Sequence, residues 1–290
     1  RIGHGDRGNH HRINLLHNSK CFASHMGEWA IAADYLANAL SLIRSGVMPA
    51  RAIAPDGVRA GRVQPNASGV AVLSLDGPLM KGQSKYEGTS TLWFRSALRN
   101  AVNDQTVSAI VVHIDSPGGT VAGTQDAAEE VRKANMSKPV YAHIDDLGAS
   151  AAYWIASQAR KVFANPMAQV GSIGTYSVLY DMSGNAEMQG VKVHVISTGA
   201  FKGAGEPGAP VTPEQLQYAQ ERVNAMNEFF LDGISAGRGM ARAEVNKLAD
   251  GRVWMAKEAK AKGLIDKVQD FDATLAYVAE TMNRNKRVRN

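Results

Sequence analysis

Two residues that could carry nucleophilic catalysis lie 52 positions apart in this chain, Ser150 and Lys202. Ser150 sits in Leu147-Gly-Ala-Ser-Ala-Ala-Tyr-Trp-Ile-Ala156, and Lys202 in Ser197-Thr-Gly-Ala-Phe-Lys-Gly-Ala-Gly-Glu-Pro207. A serine hydroxyl becomes a nucleophile when a base removes its proton. A lysine, with an ordinary pKa of about 10.4, becomes that base only where burial lowers it by several units. Gly148, Ala149, Ala151 and Ala152 leave the space around the Ser150 hydroxyl open, and Ala200, Phe201, Gly203 and Ala204 give Lys202 uncharged neighbours. A third segment, Asp115-Ser-Pro-Gly-Gly119, ends an apolar run and can turn bare backbone N–H groups toward a carbonyl oxygen. Nucleophile, base and oxyanion donors are the set that acyl transfer needs.

Each segment also has a plainer reading. Ser150 follows a strand and opens a helix, where serines routinely serve as N-caps. Lys202 reads equally as a solvated loop lysine. Asp115–Gly119 reads as an ordinary strand-to-helix turn. His113 and His143 fall in buried strand patterns and read as core or sheet-edge histidines. Asp115, Asp145 and Asp146 have no second cluster at ligand spacing, so no metal site is read from them.

The elements that must position these residues alternate from about Gly69 onward. Strands are expected at Val70–Leu75, Ser108–Ile114, Val140–Ile144, Val162–Ala164, Val170–Tyr176 and Val191–Ile196. Helices are expected at Thr91–Val102, Thr120–Ala134, Ala149–Ser157 and Ser183–Gln189. Strand–helix alternation with short, continuously apolar strands implies an α/β fold with a mostly parallel sheet. After Thr212-Pro213 the character turns helical. Leu216, Ala219, Val223, Met226, Phe229 and Phe230 mark one face of a helix over 213–236. Further helices are expected at 241–249, 256–262 and 272–283. Upstream, 27–47 reads as an amphipathic helix and 48–68 as a Pro/Gly/Ala-rich linker.

Composition narrows the class. The chain has 290 residues, 44% of them hydrophobic, which is enough for a substantial core. One cysteine, Cys21, excludes an intrachain disulfide framework and a cysteine-built zinc site. No apolar run is long enough to cross a membrane, and no membrane anchor is expected. The net charge of +5 is concentrated at the ends. Residues 1–25 carry +3 and residues 281–290 carry +4, leaving −2 on the rest. A basic balance confined to the ends is a weak argument for nucleic acid, and none is expected as a partner. Residues 1–26, with five of the eight histidines before Met26, read as a tag or disordered leader. The expected divisions are then a helical arm and linker over 27–68, a catalytic domain over 69–283 and a basic tail over 284–290.

Taken together the segments resemble the S49 peptidases, the signal peptide peptidase A group. A strand ending in Ser-Pro-Gly-Gly matches at 116–119, and Ala-Ser-Ala-Ala-Tyr-Trp-Ile-Ala at Ala149–Ala156. Gly-Ser-Ile-Gly matches at 171–174, and Phe-Lys-Gly-Ala-Gly-Glu-Pro at Phe201–Pro207. Gly-Arg-Val-Trp at 251–254 and Ala-Lys-Ala-Lys-Gly-Leu-Ile-Asp at 259–266 complete the set. The resemblance implies a ClpP/crotonase-like fold with an N-terminal helical arm and C-terminal helices. It implies Ser150 as nucleophile, Lys202 as general base, and oxyanion donors from the backbone of Gly118, Gly119 and Ala151. Ser172 and Gly148 are its candidate substrate-binding residues, and it calls for no cofactor and no metal.

Small residues around Ser150 would suit small or apolar substrate side chains. Gly-Glu-Trp-Ala-Ile at 27–31 looks more like the tailed-bacteriophage branch, the capsid-maturation proteases. That branch implies cleavage of scaffold or head proteins, a homo-oligomer enclosing its sites, and a place in the host cytoplasm or within a prohead. The alternatives are a bacterial signal-peptide-degrading peptidase of the same family and a non-catalytic crotonase-like assembly module. A crotonase-type acyl-CoA enzyme would share the fold without needing Ser150 or Lys202.

Overall fold

The computed structural model describes residues 28–35, 41, 65–82 and 88–289. Its centre is a parallel sheet built from β2 (Val70–Asp76), β5 (Ala109–Ser116), β7 (Val140–Ala149), β8 (Lys161–Ala164) and β9 (Gln169–Gly171). β7 is the spine. Its first half, Tyr141–Ile144, pairs with β8, and its last three residues, Leu147–Ala149, pair with β9. β2 and β5 follow on its other side, all in parallel register. At the margins, β10 (Val253–Met255) runs antiparallel to β9 and β11 (Lys267–Val268) parallel to β8. The expected α/β architecture is therefore what the chain adopts.

The strands have these sequences because both faces of the sheet are covered. Ile110, Val112, Ile114, Ala142 and Ile144 pack against α1 (Thr91–Asn103), α2 (Thr124–Ser137), α3 (Ala151–Ala156) and α5 (Pro213–Arg238). Val70, Val111, Tyr141 and Phe163 pack on the opposite face against Val278 and Met282 of α8 (Phe271–Arg289). Each such side chain removed from water stabilises the fold by about 1.5–3 kcal/mol. Local signals set the helix ends. Ser90 caps α1 by accepting from the Trp93 N–H. Thr212 and Gln215 form a capping box with Pro213 in the first turn of α5, and Gly239 closes it at φ +61°. α4 (Ser183–Met188), α6 (Arg242–Leu248) and α7 (Ala256–Ala261) are short. No helix among the described residues is long and apolar enough to cross a membrane.

A second, smaller sheet has the order β1 (Trp29–Ile31), β6 (Gly118–Thr120), β3 (Leu79–Met80), β4 (Thr89–Ser90). It corrects two expectations. Residues 29–31 form a strand where a helix was expected; Ala33–Tyr35 and Ser41 are helical, and the remainder of 36–47 lies outside the described residues. The helix expected from Thr120 starts at Thr124, because Gly118–Thr120 is held in β6 by pairing with β1. Strand β9 stops at Gly171, short of Tyr176, and Val191–Ile196 forms no strand with any described residue. α8 continues to Arg289, through most of the stretch read as a tail. The leader 1–26, Cys21 and most of the linker lie outside the described residues.

Candidate active site

Ser150 occupies the junction between β7 and α3, and its backbone is unusual. It has φ +55° and ψ −121°, a region that L-residues with a side chain rarely enter. Holding a residue there costs on the order of 1–3 kcal/mol and persists only where the surroundings over-determine it. Here they do. The Ser150 N–H donates to the Gly171 carbonyl at 2.7 Å, and its own carbonyl accepts from Trp154 N–H in the first turn of α3. The side chain makes no capping bond to the helix, so the plainer reading of Ser150 as an N-cap does not describe it. Its Oγ is shut off from solvent and has no hydrogen-bond partner. A buried, unpartnered hydroxyl at a helix N-terminus on a strained backbone is poised for a reacting group.

Gly118 stands against this junction. A Cβ on it would lie 2.3 Å from the Ala30 carbonyl oxygen and 2.9 Å from both the Ala149 oxygen and the Ala151 nitrogen. Its φ of +95° also requires glycine. The two candidate oxyanion glycines differ in what their N–H groups do. Ala32 N–H donates to the Pro117 carbonyl, and Val121 N–H to that of Glu28. The alternation of an antiparallel ladder then makes Ala30 and Gly119 a hydrogen-bonded pair, committing the Gly119 N–H to β1. The Gly118 N–H makes a long bond to Ser116 Oγ, 3.2 Å. Ala151 is the first residue of α3, where N–H groups have no intrahelical acceptor. Gly118 and Ala151 are thus the better placed pair of donors.

Lys202 is not bonded to Ser150 in this chain. It lies in a turn over 200–205 and is exposed. Its neighbour Phe201 packs on Tyr218, near the start of α5, with ring centroids 5.0 Å apart. The helix that follows Ser150 packs on the far part of α5, through the stacked pair Trp154–Phe230. Those two contacts are twelve residues apart on α5, about 18 Å at 1.5 Å per residue. No hydrogen bond joins Lys202 to Ser150, whose Oγ has no partner. The segment carrying Lys202 also exposes Leu179, Met182, Met188, Val191 and Ile196, the last of them 97% exposed.

The two candidate substrate residues part company. Gly148 is buried inside β7, paired with Ser116 and Val170, and a Cβ there would meet Ile144 at 2.6 Å. Its role is to let the sheet close. Ser172 stands beside the nucleophile, one residue past the Gly171 that holds the Ser150 N–H. It has φ +50°, and Ser150 and Ser172 are the non-glycine residues with positive φ among those described. Arg252 carbonyl accepts from the Ser172 N–H, and the Trp254 ring fills the space where a Gly171 Cβ would be. The segment 251–254 therefore buttresses the turn that carries the strain.

From Ser172 to Tyr176 the chain lines one wall of a pocket of about 330 Å³, whose other wall is the middle of α5. Trp29 of β1 exchanges both backbone hydrogen bonds with Tyr176, so β1 is bonded to β6 on one side and to this pocket wall on the other. Tyr176, Gln220, Asn224 and Asn227 line the pocket and had no signal in the sequence, being scattered polar residues on a loop and a helix face.

His113 and His143 lie in β5 and β7. His143 is fully buried between Thr274 and Asn165, at 2.9 and 3.1 Å. The Asn165 amide nitrogen is bonded to Asp145, so its oxygen accepts from His143 Nε2 and the Thr274 hydroxyl serves Nδ1. Burial lowers His143 from the usual 6.5 to about 4. His113 stacks beside it under Phe271. Asp115, at the end of β5, is raised by burial and by the carboxylates around it. No group of three or more metal-ligating side chains occurs among the described residues.

The profile of the family described as Peptidase family S49 matches residues 132–285, just over half of the chain and including both Ser150 and Lys202. Protease 4 of Haemophilus influenzae is 26% identical over 224 residues, 75% of this chain and 35% of that protein. Capsid assembly protease C of Escherichia phage lambda is 28% identical over 235 residues, 80% of this chain and 53% of that protein. The chain thus spans about a third to a half of the length of these relatives. Among solved structures, the ClpP protease catalytic domain from Plasmodium falciparum aligns with 69% of this chain and 85% of its own. Its TM-score is 0.44 and its identity 14%.

Proposed function

We propose, from the premise that the chain belongs to peptidase family S49, that it is a serine endopeptidase working through Ser150 and Lys202. The observation that carries this reading is Ser150 itself, held at φ +55° with its hydroxyl buried and unpartnered at the start of α3. In the proposed mechanism the Lys202 amine takes the Ser150 proton, and Oγ attacks a peptide carbonyl. The N–H groups of Ala151 and Gly118 receive the developing oxyanion. The C–N bond breaks, the proton passes to the leaving amine, and an acyl-enzyme remains. Water, deprotonated by Lys202, then releases the carboxylate and restores Ser150.

Within one chain Lys202 is exposed and makes no hydrogen bond to Ser150, so the pair is read as closing between neighbouring copies. Two features support this: the exposed position of Lys202 and the exposed apolar side chains around it. Covering that surface with a second copy would desolvate the amine, which is what lets a lysine act as a base. The substrate is read as a scaffold or head polypeptide of a phage capsid. The support is the lambda relative, named for capsid assembly, matched over 80% of this chain. The likeness to Protease 4 keeps a second reading in view, a peptidase for signal-peptide remnants. The test is cleavage of casein and of a candidate head protein by wild type, Ser150→Ala and Lys202→Ala. Turnover by wild type alone supports the mechanism, and turnover surviving in Ser150→Ala removes it.

A further inference from the structure

The pocket beside Ser172 has a chemistry of its own. Its base is apolar, from Ile31, Ile173 and Val223. Two polar atoms of lining residues, Tyr176 Oη and Asn227 Oδ1, are closed off from solvent and have no hydrogen-bond partner among the described residues. Leaving such a group unpaired costs about 1–3 kcal/mol, and the great majority of buried polar groups in folded proteins are paired. Several other polar groups of the pocket are already engaged. Thr175 donates to the Val223 carbonyl at 3.0 Å, Gln220 to the Asn224 side-chain oxygen at 2.7 Å, and the Ser172 N–H to Arg252. The two orphaned side-chain atoms thus belong to one residue on each wall, Tyr176 on the 172–176 loop and Asn227 on α5.

Charge narrows what could bond them. Among the described residues no lysine or arginine lines the pocket, and its carboxylate, Asp250, is paired with Arg252 at 2.6 Å. An ionic occupant would therefore lack a counter-charge. Burial pushes the Tyr176 phenol up to about 12, so it keeps its proton and can donate. Asn227 Oδ1 needs a donor. A neutral group that both donates and accepts on the end of an aliphatic stem meets all of these conditions. A carboxamide does so whichever way the Asn227 amide is turned.

We infer that this pocket is a specificity subsite for a glutamine side chain of the polypeptide substrate, its methylenes on Ile31, Ile173 and Val223 and its carboxamide between Asn227 and Tyr176. The inference rests on the peptidase reading, because the pocket wall runs on directly from the Gly171 carbonyl that holds the nucleophile. It names a side chain that the small residues around Ser150 give no reason to expect.

The experiment uses matched peptides carrying glutamine or its near-isostere methionine, scanned through the positions on either side of one cut site. Wild type should show one position where glutamine is favoured in kcat/KM by about tenfold or more, as expected where a site's own polar groups would otherwise go unpaired. Asn227→Leu and Tyr176→Phe should each bring that ratio toward one; the second removes a single oxygen and guards against misfolding of the first. No position with a preference, or a ratio unmoved in both variants (a pocket satisfied by water alone), overturns the subsite while leaving the peptidase intact. If wild type cuts none of the peptides, their binding to Ser150→Ala is read by fluorescence anisotropy. Glutamine selectivity lost in Asn227→Leu then upholds the subsite and places the fault in the peptidase reading. Equal or no binding of the two peptides overturns the subsite.

Discussion

Replacing Ser150 should make the protein harder to unfold while abolishing its turnover. Two separate penalties meet at this residue. Its Oγ is buried with no partner, and truncation to alanine removes that group with little loss of packing. The expected gain is about 1–2 kcal/mol, the lower part of the range for an unsatisfied buried polar group. Alanine keeps the Cβ and hence the strain at φ +55°. Glycine releases that strain, worth about 1–3 kcal/mol, against about 0.5–1 kcal/mol for its greater freedom in the unfolded chain. The order of stability should therefore be Ser150→Gly at or above Ser150→Ala, with both above wild type. A kilocalorie shifts the midpoint of a chain somewhat smaller than this by about 2–4 °C, so alanine should raise it by a few degrees. The assay is thermal and urea unfolding at one fixed protein concentration, since association adds its own stabilisation. A Ser150→Ala protein less stable than wild type by a kilocalorie or more would mean the hydroxyl is an ordinary helix cap. A glycine variant less stable than alanine by about 0.5–1 kcal/mol, the whole entropic cost, would mean the backbone carries no strain.

Other outcomes follow from neighbouring features. Gly118→Ala should drop turnover by about 10²–10³, the scale of losing one oxyanion donor, because its Cβ would strike the Ala30 carbonyl and crowd the Ala151 nitrogen; steady-state kinetics on a folded, soluble variant checks this. Mixing Ser150→Ala with Lys202→Ala, each inactive alone, should restore part of the turnover if the dyad closes between copies, and restore none if it closes within one. His143 should make the fold acid-sensitive. Its folded value is about 4 against 6.5 unfolded, so the unfolded chain binds the extra proton. Stability is complete above pH 6.5 and falls as pH drops toward 4, by up to about 3 kcal/mol. Urea unfolding at pH 7.5 and 4.5 should show a smaller fall in His143→Gln than in wild type.

The core of the fold was legible because its strands are buried on both faces and read as uninterrupted apolar runs. Val70–Leu75, Val162–Ala164 and the helix after Thr212-Pro213 needed nothing beyond local pattern. What escaped was pairing between distant segments. Trp29–Ile31 has no strand-like length of its own, and its helical-looking surroundings Ala-Ala-Asp-Tyr-Leu disguise it. It becomes β1 only because Gly118–Thr120 offers an edge. Val191–Ile196 fails in the opposite way: its β-branched alternation is strong, but no neighbour among the described residues pairs with it. At the site, Ser150, Gly118, Gly119 and Lys202 were visible as residue types in small-residue segments. The backbone strain at Ser150 and Ser172 was not, since φ is set by what surrounds a residue. The pocket was invisible because its polar residues come from two elements about fifty positions apart.

The pairing of β1 with β6 also sets a clock. Ile31 meets Gly118, and Trp29 meets Tyr176. At the usual 5–20 residues per second of synthesis, the first partner emerges roughly 4–18 s after the strand, and the second roughly 7–30 s after it. Until then β1 waits without its partners, and the junction at Ser150 has no Gly171 to hold it. A nascent chain is in this sense harmless to itself and to its ribosome: a strand made well before its partners is put to use only after both have emerged, and under the proposed mechanism nothing could be cut until nearly all of the sheet is complete.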